Sequence, residues 1–281
     1  MPSVCLGSDP PGRVGTIARL AEYGIRPDTS LGQHFLVDEN LADLAIRQAR
    51  LDPMSVVLEI GAGVGTLTEA LAHAAGHVHA VEIDSRLQPA LEDVSASFPN
   101  VSLHMGDAMR LDLAALAPAP THFVANLPYH VATPLLVDSL WELPHVVRWV
   151  VMVQREVADR WLAGPGSKLY GAPSVLMQHS STSDFRRQVG RDVFAPRPRV
   201  DSALVGLTRT GPGPSPALRS LVHAAFATRR KTLTNALAGA GADPAAVRAA
   251  LAEIGLPADV RAEALPVEAF ERLVEVLAWT A

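Results

Sequence analysis

A chain of 281 residues that is 48% hydrophobic and has one cysteine, Cys5, can bury a sizeable core but holds no disulfide framework and no cysteine-based metal site. No apolar run approaches the roughly 18 residues of a membrane span, and residues 1–15 lack the apolar centre of a secretory signal, so a cytoplasmic protein is expected. The net charge of −5 argues against a nucleic-acid partner until it is mapped: Lys+Arg against Asp+Glu is 7 to 17 over residues 1–145, 14 to 5 over 146–231, and 3 to 7 over 232–281.

Residues 1–25 read as an extension whose first dozen residues are expected to be disordered, and two helical stretches, near 14–23 and 39–50, flank residues 31–36. Residues 56–60 (VVLEI) form a short apolar, β-rich run that predicts a buried strand. It leads into Gly61-Ala62-Gly63-Val64-Gly65-Thr66 and a helix over 67–75, with Thr66 and Glu69 spaced as a capping box. A glycine loop at a helix start lets a ligand approach the backbone amides. A second strand over 77–81 delivers Glu82, about 20 residues beyond the glycine loop, where an acid takes ribose hydroxyls. A nicotinamide cofactor fits less well, because its G-x-G-x-x-G/A pattern wants a small residue where Thr66 stands. The spacing G-x-G-x-G points instead to S-adenosylmethionine. The third strand, 101–105, precedes Asp107, a candidate partner for the adenine amino group of that cofactor, and the fourth, 121–125, precedes Asn126. All these sites fall at carboxyl ends of successive strands, where open α/β sheets bind ligands. The competing reading of Glu82 and Asp107 is helix capping and solvated turns.

Asn126-Leu127-Pro128-Tyr129 carries the chemistry. The exocyclic nitrogen of adenine is a poor nucleophile because its lone pair is delocalised into the ring. An Asn oxygen and a neighbouring carbonyl, here that of Leu127, can accept its two hydrogens and turn the lone pair toward an electrophilic methyl. Pro128 restricts Leu127 to an extended conformation, and Tyr129 offers a flat face for an unstacked base. Alone, the motif also fits an ordinary strand-to-turn junction.

The remainder predicts a fifth strand over 148–153, a helix over 170–180, an edge hairpin from 182–190 and 202–209, a linker over 211–216 and helices to the end. The fold class is therefore α/β: a doubly wound Rossmann-like sheet over 26–210 and a small C-terminal helical domain over 211–281.

From Arg26 onward the chain resembles the ribosomal RNA adenine dimethyltransferases, specifically the bacterial small-subunit enzymes. The carriers are residues 31–36 (LGQHFL), 59–63 (EIGAG), 81–84 (VEID), 106–108 (GDA), 126–129 (NLPY), 154–157 (QREV), 166–171 (GSKLYG), 194–202 (FAPRPRVDS) and 226–232 (FATRRKT). The resemblance implies a methyltransferase, acting late in subunit assembly, that dimethylates two adjacent adenosines near the 3′ end of 16S rRNA. It implies cofactor contacts from His34, Leu36, Gly61, Gly63, Glu82, Asp107 and Asn126, chemistry at Asn126, Leu127 and Tyr129, no metal, and a monomer. Asn is commoner in the family where His34 and His130 stand. The positive block includes both lysines, Lys168 and Lys231, and is the footprint of a phosphate-binding face. Arg229, Arg230 and Lys231, expected at the start of a helix, and Phe194, expected to stack on a base, are its RNA-binding candidates. Two rivals are a resistance-type 23S rRNA adenine methyltransferase, which typically has Ile at position 127 and lacks a segment like 166–171, and a non-catalytic RNA-binding assembly factor.

Overall fold

The computed structural model describes residues 15–128 and 131–280, so the whole first dozen residues expected to be disordered, and both Tyr129 and His130, lie outside the described residues. Strands occur at β1 (Phe35–Leu36), β2 (Val56–Ile60), β3 (His77–Glu82), β4 (Val101–Met105), β5 (His122–Asn126), β6 (Arg148–Gln154), β7 (Ser181–Val189), β8 (Phe194–Ala195) and β9 (Ser202–Arg209). Helices occur at α1 (Thr16–Glu22), α2 (Glu39–Ala49), α3 (Thr66–Ala74), α4 (Gln88–Ser97), α5 (Ala132–Glu142), α6 (Arg155–Trp161), α7 (Ala172–Ser180), α8 (Pro216–Phe226), α9 (Leu233–Ala238), α10 (Pro244–Glu253) and α11 (Val267–Val276).

The main sheet has the order β4-β3-β2-β5-β6-β9-β7. Its first five strands are parallel, while β9 is antiparallel to both β6 and β7. The chain winds outward from β2 to β4 and then from β5 to β6. The switch point between β2 and β5 is where a crevice opens at the strand ends. Side chains alternate across the sheet with the two-residue period of a strand. Leu58, Phe123 and Trp149 enter the core shared with α5 and α7, whereas Val57, Val124 and Val150 enter the core beneath α2 and α3. Both faces are covered, which is why the central strands read as unbroken apolar runs. The buried Trp149 indole donates to Ser139 Oγ at 2.9 Å, so its one polar atom is satisfied.

The core under α5 and α7 continues without a break into α8–α11 through Leu218, Leu237, Leu251 and Phe270. The linker is packed as well: a Cβ on Gly213 would come 2.4 Å from the Leu140 carbonyl oxygen. The segment 164–170 is tied to the C-terminal helices by Gly166 N donating to Glu263 O at 2.7 Å and Tyr170 Oη donating to Leu265 O at 2.9 Å.

The expected capping box at Thr66 and Glu69 does not form. Gly65 occupies the N-cap in the left-handed region, at φ +82°, and no side chain caps α3. Thr66 Oγ1 instead hydrogen-bonds Thr16 Oγ1 at 2.9 Å, and the Glu69 carboxylate pairs with Arg19. Both side chains are recruited by α1. A Cβ at position 65 would lie 2.7 Å from Val94, so glycine is required there for space as well as conformation.

Candidate cofactor and acceptor site

Gly61 and Gly63 lie in the left-handed region at φ +79° and +63°. Gly61 N and Ala62 N both donate to Val81 O, at 2.8 and 3.2 Å, which fastens the loop to the neighbouring strand. A Cβ on Gly63 would press on the Phe35 ring at 3.1 Å, so the loop and the strap over 29–36 meet closely. Between them opens a cleft lined by all the predicted cofactor residues: His34, Leu36, Gly61, Gly63, Glu82, Asp107 and Asn126.

Glu82, 5% exposed, stands at the end of β3. Its Oε2 accepts from Gly63 N at 2.9 Å, and its Oε1 accepts from Ile83 N at 2.9 Å and Asp84 N at 3.0 Å. A carboxylate offers about four acceptor positions, so capacity remains for a ligand hydroxyl. Burial holds the Glu82 pKa above its ordinary value, and the three amide donors offset only part of that rise. Asp84, beside it, is held at about 2, chiefly by the Arg86 guanidinium. It receives Gln33 Nε2 at 2.7 Å, and Gln33 Oε1 accepts from Asp28 N at 2.7 Å, so this acid anchors the strap. Asp107 Oδ1 accepts from Met109 N at 2.9 Å: the residue forms its own turn as well as lining the cleft.

Asn126 ends β5. Its Nδ2 donates to His34 O at 3.0 Å. A carbonyl only accepts, so this bond assigns the amide orientation and leaves Oδ1 as the acceptor for a substrate. Leu127 is buried, with its N donating to Met152 O at 3.1 Å, and Pro128 lines the cleft. Tyr129 lies outside the described residues.

Sequence reasoning gave no separate role to Glu59. It lines the cleft, is 1% exposed, and among the described residues neither carboxyl oxygen has a hydrogen-bond partner. Burial pushes its pKa up to about 8. The available signal was an acid inside an otherwise apolar strand, a placement that costs free energy unless something compensates it.

Three RNA-binding expectations change. Phe194 is 5% exposed and packs with Leu41, Met152 and Leu204, so its ring belongs to the core and offers no free face for a base. Arg229, Arg230 and Lys231 lie in the turn between α8 and α9, not at a helix start, because Thr232 caps α9 by accepting from Asn235 N. Arg229 Nη2 donates to Lys168 O at 2.7 Å and faces Glu263, bracing segment 164–170. Arg230 and Lys231 are exposed. Elsewhere in the positive block Arg148 is spent on Asp184, Arg186 on Asp159 and Arg197 on Asp192.

A model of the ribosomal RNA adenine dimethylase family matches residues 25–278. The chain is 46% identical over 265 residues to a "Ribosomal RNA small subunit methyltransferase A" of Streptomyces coelicolor, covering 91% of this chain and 92% of that one. Among solved structures, it is similar to a dimethyladenosine transferase from Plasmodium falciparum, with TM-score 0.70 and 25% identity over 86% of this chain and 96% of that one. The 23S rRNA methyltransferase ErmE is also similar, with TM-score 0.65 and 28% identity over 87% of this chain and 99% of that one.

Proposed function

The chain belongs to the ribosomal RNA adenine dimethylase family, and from that premise we propose that it dimethylates two adjacent adenosines near the 3′ end of 16S rRNA, late in small-subunit assembly, as a cytoplasmic monomer. The observation that carries this reading is the convergence of Glu82, the glycine loop and an Asn126 amide of assigned orientation in one cleft at the switch point of the sheet.

S-adenosylmethionine, when bound, supplies a methyl group made electrophilic by its sulfonium. The residues present fit it: the glycine loop leaves room at the backbone, Glu82 has acceptor capacity for ribose hydroxyls, Asp107 stands at the next strand end, and the unpartnered Glu59 carboxyl suits a cationic ligand. His34 and Leu36 of the strap would close the opposite side. At the acceptor end, Asn126 Oδ1 and the Leu127 carbonyl accept the hydrogens of the adenine amine and direct its lone pair, while Tyr129 supplies a face for the base. The protein contributes alignment of the amine with the methyl group.

Replacing Glu82 with Ala removes a charged acceptor, worth about 1.5–3 kcal/mol, and weakens cofactor binding accordingly. Calorimetry showing unchanged affinity removes Glu82 from the site.

The methyltransferase unit is proposed to span 26–210 and the helical RNA-binding unit 211–281. Arg230 and Lys231 are the cations of the 226–232 segment left to grip phosphate. Replacing both with Ala flattens the salt dependence of subunit binding by roughly 0.7–0.9 in slope for each phosphate no longer neutralised, without altering cofactor affinity. An unchanged slope moves RNA docking to the exposed Arg187 and Arg199.

The small subunit is favoured over the large one by the 46% identity to a small-subunit enzyme and by the 166–171 segment, which is braced against the C-terminal helices. Labelled methyl transfer to isolated under-methylated subunits tests the choice: label enters small subunits and not large ones. Label in large subunits alone favours the resistance-type reading.

A further inference from the structure

We infer that His34 is a positioning residue for methyl transfer: its ring, docked on the Pro196 carbonyl, holds the strap whose own carbonyl at residue 34 sets the Asn126 amide. This rests on reading the cleft as a methyltransferase site.

Residue 34 is bonded in two directions. Its Nδ1 lies 2.7 Å from Pro196 O, and its main-chain oxygen accepts from Asn126 Nδ2 at 3.0 Å. The Pro196 carbonyl only accepts, so Nδ1 carries the proton and donates. Beyond this bond the strap is held to segment 193–196 by a two-residue ladder, Phe35 opposite Ala195 and Leu36 opposite Phe194, and by Val37 N donating to Val193 O at 2.9 Å. The ladder is short, so the His34–Pro196 bond adds a tie on this side of the strap, while Gln33 anchors the other side to Asp84 and Asp28. The same segment continues into the exposed Arg197 and Arg199. The arginine-bearing loop and the amide that orients the reacting nitrogen are thus joined through one residue.

The chemistry of the bond also says which residues can replace it. Asn Nδ2 and His Nδ1 are both three bonds from Cα, so Asn can place a donor at the same carbonyl. Gln carries its donor one carbon farther out, and Ala has none.

The test is steady-state methyl transfer to small subunits by His34→Ala, His34→Gln and His34→Asn, alone and with Asn126→Ala, alongside calorimetry of S-adenosylhomocysteine binding and thermal melts. In His34→Ala and His34→Gln, kcat falls by about 10-fold or more, as for a reacting group displaced by a fraction of an ångström, and by a larger factor than affinity for the cofactor product, whose cleft His34 also lines. His34→Asn recovers most of the lost kcat. With Asn126 already Ala, adding His34→Ala costs little more, because the two act through one interaction. The inference is overturned if Asn rescues no better than Gln, if the losses at 34 and 126 multiply, or if cofactor affinity falls with kcat intact. Should His34→Ala fail to fold, the Gln and Asn variants decide. A wild-type chain that methylates no adenosine defeats the functional reading itself; an active wild type with multiplying losses defeats only the role of His34.

Discussion

Replacing Asn126 with Ala lowers turnover by roughly 100-fold or more, the scale seen when one preorganised polar group is removed from a reacting centre. The side chain does nothing that burial or packing elsewhere depends on: its amide bonds to the His34 carbonyl, and the backbone of β5 is held by β2 and β6. The sheet therefore survives the change, and cofactor affinity falls far less than turnover. What disappears is an acceptor for one amine hydrogen, and with it the bias of the nitrogen lone pair toward the methyl group. Single-turnover kinetics separate this from slower product release. A variant with near-normal turnover would remove Asn126 from the chemistry.

Stability against pH should change sign of slope across the neutral range, and Glu59→Gln should flatten the falling arm, to which Glu82, Asp138 and Glu142, whose pKa values burial also raises, contribute as well. Glu59 binds its proton more tightly in the fold, with a pKa of about 8 against an ordinary 4.5. Its penalty is therefore absent below about pH 4.5 and grows as pH rises toward 8, at about 1.4 kcal/mol per unit. The histidines behave oppositely. Burial lowers the pKa of His77, His79, His104 and His122, so their penalty appears as pH falls below the ordinary value of 6.5. Glu59→Gln should change the stability of the cofactor-free protein by less than about 1 kcal/mol at pH 5 and raise it at pH 8 by roughly 4 kcal/mol. Melting curves at the two pH values read the difference directly. An equal slope in variant and wild type would mean that Glu59 is already ionised in the folded protein.

Much of this arrangement is legible in the sequence because strand ends and glycine loops are local signals. The apolar runs at 56–60 and 101–105 became β2 and β4 with the same limits. The residues that follow β2, β3 and β4, together with Asn126 at the end of β5, line one cleft. What escaped was set by partners distant along the chain. Thr66 and Glu69 have the spacing of a cap, yet α1, about 50 residues earlier, takes both side chains. Phe194 sits in a segment rich in Arg and Pro, and only its pairing with β1 shows that the ring turns inward. Arg229 has the same chemistry as Arg230, but Lys168 O and Glu263 are within its reach. Nor does any local pattern reveal that the Glu59 oxygens find no partner, since that depends on what α3 and the loop leave uncovered.

The most direct measurement is to incubate the purified protein with S-adenosylmethionine and under-methylated small subunits, then digest the 16S rRNA and identify and map the modified nucleosides by mass spectrometry. The account predicts N6,N6-dimethyladenosine at two adjacent positions near the 3′ end, absent when Asn126→Ala is used. Methylation at a different base or atom, or product formation that persists undiminished in the Asn126 variant, would contradict it.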